Sequence, residues 1–162
     1  MNYTVFRSDL MSGTTQPADL VSLRYYKDDV QAEVENGVIV ELGALEDGER
    51  EVRKATAASA DADLANCAVV AGVEVMYDER KRNLDEFINE KGKATRGYLL
   101  RNNNMFSVTA NGFVNKTVPA VGGKVGIGAD GKLDAAGTGL GECIAIEPAG
   151  RYTYYVIQIK KA

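Results

Sequence analysis

The sequence predicts a mainly β protein, a β-barrel (β-tulip-like) or a compact β-sandwich, with one short α-helix and an extended N-terminal arm. Three observations predict it. Apolar runs are short, rich in valine and isoleucine, and bounded by turn formers at close intervals. Glycines number 17 in 162 residues and sit between those runs. Helical periodicity is credible in one segment alone.

The elements follow in chain order. Residues 1–24 read as an extended arm, thin in apolar periodicity and carrying the Ser12–Pro17 cluster of small and turn-forming residues. The remainder, 25–162, reads as one glycine-turn-rich β domain. Val30–Val34 and Val38–Leu42 flank Asn36-Gly37, a dipeptide that accepts positive φ at both turn positions, so a hairpin is expected over 30–43. Asp47-Gly48 supplies a second turn, with a return strand from Glu51. Residues 55–66 are small and polar and read as a surface connection. Cys67–Tyr77 is a valine-rich apolar run, expected to form one buried strand.

The helix is expected at about 78–91. Asp78 caps it, Tyr77, Leu84, Phe87 and Ile88 share a face, and Gly92 ends it. Its other face is charged in both signs, including Arg80-Lys81-Arg82 among acids, and reads as solvated. Beyond Gly97 the pattern is β throughout. In the last strand Tyr155, Ile157 and Ile159 alternate with Tyr154 and Gln158.

Composition excludes several functions. With 19 basic and 23 acidic residues the net charge is −4, which argues against nucleic acid held by a general electrostatic footprint. No run approaches the length of a membrane helix, and the N-terminus lacks the apolar core of a secretion signal. The chain is expected neither to enter a membrane nor to be exported. Histidine is absent. Its absence removes Ser-His-Asp and Cys-His nucleophile systems and most transition-metal sites. Cys67 and Cys143 lie among apolar neighbours and read as reduced, packed side chains.

Three motifs invite chemistry and fail its requirements. Gly126, Gly128 and Gly131 spell G-x-G-x-x-G, but no helix can follow to receive a pyrophosphate, so they read as turns. Lys124 follows Gly122-Gly123 without the flanking residues of a biotin or lipoate carrier. The pairs Asp28/Asp29 and Asp61/Asp63 lack a calcium loop with its closing glutamate. No catalytic, cofactor-binding or metal residue is therefore expected, and no cofactor.

Residues 119–147, with their Val-Gly-Ile-Gly-Ala-Asp-Gly-Lys-Leu run and the strand from Thr138 to Ile146, resemble the glycine-turn β-module of tailed-phage head decoration (capsid cement) proteins. Upstream, Glu35–Val52 with Val73–Glu79 is similar to the larger cement proteins of phages infecting Gram-positive bacteria. The resemblance implies a non-enzymatic virion protein on the capsid exterior, in the host cytoplasm before assembly, bound to the major capsid protein and stabilising the bacteriophage head. It implies no catalytic residues, and an N-terminal arm that orders on the capsid. Partners expected are the major capsid protein and further copies of the chain, a trimer favoured over a monomer. The alternatives are another virion β-protein, such as a head-fibre base or tail-tube subunit, or a small ligand-binding β-barrel.

Overall fold

The computed structural model describes residues 2–11 and 19–160. It is mainly β, a closed five-stranded barrel packed against a second sheet. The Ser12–Pro17 cluster lies outside the described residues.

The barrel uses β1 (Leu20–Lys27), β3 (Ile39–Leu45), β4 (Val52–Ala57), β5 (Cys67–Val70) and β6 (Thr95–Leu99). They run in the order β1-β4-β3-β5-β6, and β6 closes the ring by pairing antiparallel with β1. β1 and β4 are parallel, Leu23 lying opposite Arg53. The short β2 (Val30–Gln31) hangs on β1 through Asp28 and Asp29, both at positive φ. Aspartate tolerates that conformation, so this acidic pair is a hairpin turn. The hairpin expected over 30–43 does not form, because β2 takes β1 as its partner and β3 takes β4 and β5. Asp47-Gly48 does join β3 to β4.

The second sheet holds β7 (Met105–Val108), β8 (Lys124–Ile127), β9 (Leu133–Asp134), β10 (Gly141–Ala149) and β11 (Tyr152–Ile159), in the order β7-β11-β10-β8-β9. Alternation explains the two cores. Val40, Leu42, Ala68 and Val70 point into the barrel with Leu23 and Ala55. Ile39, Cys67 and Val69 point out of it, onto Phe106, Val125, Ile157 and Ile159 of the second sheet. β5 is buried on both faces, which accounts for its unbroken apolar run. Cys67 and Cys143 are both buried in this larger core.

The glycine module docks directly on the barrel. The 3-10 turn Ala129–Gly131 places Gly131 at φ +71, where a Cβ would stand 2.2 Å from the Ile39 carbonyl oxygen. Only glycine permits that approach. The neighbouring Asp130 pairs with Lys27 of β1 at 3.0 Å.

Two further expectations are corrected. The helix at 78–91 is absent; a single 3-10 turn, Leu84–Glu86, stands there. Asp85, Phe87 and Asn89 are all buried, a period of two rather than 3.6, so the chain is extended after the turn. Asp85 turns inward to accept from Arg151 and Tyr152, each at 3.3 Å, and Asn89 bridges Val34. The arm expected at 1–24 ends earlier, since β1 begins at Leu20. Residues 2–11 are largely extended but integral to the fold. Val5 and Phe6 are buried, Phe6 bridges Val108 at the edge of β7, and Thr4 donates twice to the Glu35 carboxylate at 2.8 Å. Their few apolar side chains fill the larger core, which sparse periodicity does not reveal.

Candidate interaction surface

The buried strand expected over Cys67–Tyr77 is realised only as far as Val70. A polar knot diverts the chain. Asn36 donates through Nδ2 to Gly72 O (2.9 Å), and Gly72 N donates back to Asn36 Oδ1 (2.8 Å). Asn89 Nδ2 donates to Asn36 Oδ1 (2.9 Å) and Val34 O (3.0 Å), while Thr95 Oγ1 donates to Asn89 Oδ1 (2.6 Å). A Cβ on Gly72 would fall 2.0 Å from Asn89 Oδ1, so the knot closes only around glycine. Buried amides satisfied in this way are rigid, because leaving any one unmade costs its desolvation.

Past the knot, residues 73–78 run without a strand partner. Val73, Val75 and Tyr77 form one outward row, 58%, 51% and 88% exposed. Glu74, Met76 and Asp78 on the alternate row are partly covered. Val75 N–H donates to Val73 O at 2.8 Å. The amides of Met76 and Tyr77 and the carbonyls of Val75, Met76 and Tyr77 make no hydrogen bond among the described residues. Beside this row opens a cleft of about 600 Å³, walled opposite by residues 86–96.

The electrostatics of the cleft are uneven. Asp78 is held below the usual carboxylate range by Arg80, Glu86 by the backbone amides of Asn83 and Arg82, and Glu90 by Lys93. Burial raises the Glu74 carboxyl, partly offset by hydrogen bonds including that from Asn36. Lys81 and Arg96, which also line the cleft, have neither ion pair nor side-chain hydrogen bond among the described residues.

The motifs weighed in the sequence are dispersed. Gly126 and Gly131 lie in tight approaches, to residues 137–138 and to Ile39 respectively. Lys124 pairs with Glu142 at 3.1 Å, and Asp63 caps the 3-10 turn Leu64–Asn66 through the amide of Ala65. Among the described residues no group of three acids or cysteines is placed to hold a metal ion, and no helix is long and apolar enough to cross a membrane. Sequence reasoning missed the knot. Asn36 reads as a turn residue beside Gly37, and nothing in the order of the chain announces its meeting with Gly72 and Asn89.

Fold and surface together define a β-barrel protein carrying an exposed, unpartnered extended segment. No family model matches the chain, and neither a curated protein nor a solved structure matches it.

Proposed function

We propose that this chain is a non-enzymatic virion structural protein that decorates the outside of an icosahedral tailed-phage head and stabilises it by binding the major capsid protein. The observation that carries this reading is the Val73, Val75, Tyr77 row, displayed on unpaired backbone beside a cleft. Large apolar side chains exposed together mark a contact surface, and an aromatic at the centre of such a surface supplies much of its binding energy. The glycine module at 119–147 supports the same reading through its resemblance to cement proteins. Its turn, locked on Ile39, supplies a stiff frame for the contact. A copy that buries on the order of 1,000–2,000 Å² across capsid subunits opposes their separation.

The test is co-sedimentation of purified protein with empty heads of the phage that encodes it. Saturable occupancy, with heads made more resistant to heat, is the expected result. Pelleting no greater than that of an unrelated β-protein overturns the reading.

A further inference from the structure

We propose that the side of β7 facing away from β11 is a binding site for residues 3–7 of a second copy of this chain, the two copies exchanging that segment. The site lies apart from the cleft beside residues 73–78 and does not depend on the capsid reading.

The structure displays both the site and its ligand. β7 stands at one end of the second sheet, with β11 on one side. Residues 5–7 cover its other side in antiparallel fashion, Phe6 bridging Val108. Arg7 N–H donates to Ser107 O, Thr109 N–H to Val5 O, and Val5 N–H to Thr109 Oγ1, each at 3.1 Å. Tyr3 N–H donates to Asp85 O at 2.8 Å, and Thr4 donates to Glu35. Phe6 stacks on Phe106, and the Arg7 guanidinium lies 5.3 Å from the centre of the Tyr154 ring. This is strand addition to a sheet edge, with main-chain hydrogen bonds and side-chain pockets alike, carried out within one chain.

Each of these partners lies at least 31 positions from the segment in sequence, and none belongs to β1, which follows it. The contacts are therefore the same whichever copy supplies the segment, and they cancel between closed and exchanged forms. What remains is the concentration of copies against the effective concentration of the tether, on the order of millimolar for short linkers.

The edge also selects its occupant. Uncovered, it would present Ser107 O, Thr109 N–H and the Phe106 ring, and residues 5–7 meet all three. An open edge pairs with an available strand, and every copy carries this one in matching register. Reciprocal exchange about a two-fold axis fills both grooves and leaves neither edge bare.

The test mixes two full-length variants, Arg7→Cys and Ser107→Cys, whose positions oppose each other across the added strand. Ser107 is buried, so a cysteine there meets residue 7 inside the groove. Cys67 and Cys143 are buried as well, and each variant oxidised alone records their background. Mixed at about 0.5 mM each, near the tether's effective concentration, and oxidised, the pair should give a covalent heterodimer. Peptide mass mapping should place its link between residues 7 and 107. Phe6→Leu supplies a direction: in the Arg7→Cys copy it should lower the yield at least about threefold, and in the Ser107→Cys copy raise it comparably. Val5→Cys with Thr109→Cys is the second pair, should melting show that Ser107→Cys does not fold.

A heterodimer no more abundant than the background of either variant alone overturns the proposal. So does a yield that Phe6→Leu leaves unchanged, or shifts the same way in both copies, since chance collision would then account for the link. Binding to heads enters neither result, so exchange and decoration stand or fall separately.

Discussion

The side chain of Asn36 pairs with the backbone of Gly72 as a neighbouring strand would, donating to its carbonyl at 2.9 Å and accepting from its amide at 2.8 Å. This pairing ends the β5 ladder and turns the chain outward, so that Val73, Val75 and Tyr77 emerge at the surface. A single buried amide thus couples barrel stability to the shape of the candidate interaction surface.

Replacing that amide tests the coupling. Asn36→Ala strands Gly72 and Asn89 groups that are buried, and should cost about 2–4 kcal/mol. Urea denaturation should show a lower midpoint with an unchanged slope. A loss under about 0.5 kcal/mol would mean that the knot forms without contributing to stability.

The glycine turn makes a second, comparative prediction. Gly131→Ala combines φ +71 with a Cβ 2.2 Å from Ile39 O, whereas Gly48→Ala has φ +80 and nothing within 4 Å. Gly48→Ala should cost about 1 kcal/mol and Gly131→Ala several times that, measured by thermal melting. Equal losses would show that the turn yields easily and does not lock the module to the barrel.

The N-terminal segment should behave as core. Phe6 is 3% exposed and stacks on Phe106 with ring centroids 5.7 Å apart. Phe6→Ala should destabilise the protein by about 3–5 kcal/mol. Deletion of residues 2–11 should lower the melting temperature as well. An unaltered melting temperature would return these residues to the role of a detachable arm.

Glu74 gives a pH dependence with a definite sign. Burial raises its carboxyl pKa in the folded protein, so ionisation near neutral pH opposes folding. The penalty is present above the folded pKa and disappears as pH falls below the unfolded one, where both states are protonated. Glu74→Gln should therefore be more stable than the parent at pH 7, and the difference should vanish below about pH 4. A variant less stable at pH 7 would show that the hydrogen bond from Asn36 requires the charge.

Legibility in the sequence followed the range of the interactions. Alternation, a local property, places Ile157 and Ile159 on one face of the last strand, and both are buried. Tyr25 and Tyr26, adjacent in β1, face opposite sides as alternation requires, Tyr25 into the barrel and Tyr26 outward to Glu46. The 78–91 segment misled because Leu84, Phe87 and Ile88 match a helical spacing. Asp85 and Asn89, whose partners Arg151 and Val34 are distant in sequence, imposed a period of two instead. Val73, Val75 and Tyr77 read as buried for the same reason: their apolar character is local, but their exposure follows from Asn36.

The sequence by itself determined that the protein is β-rich, that its turns lie at Asp47-Gly48 and within the 119–147 module, and that histidine-dependent chemistry is absent. Those properties reside in residue type and nearest neighbours. Only the tertiary structure decided that five strands close into a barrel, that Val5 and Phe6 are buried, and that residues 73–78 emerge beside a cleft. Each of these depends on which distant groups meet. A buried amide or carboxylate must find a partner to offset its desolvation, and that requirement overrides the local pattern where the two disagree.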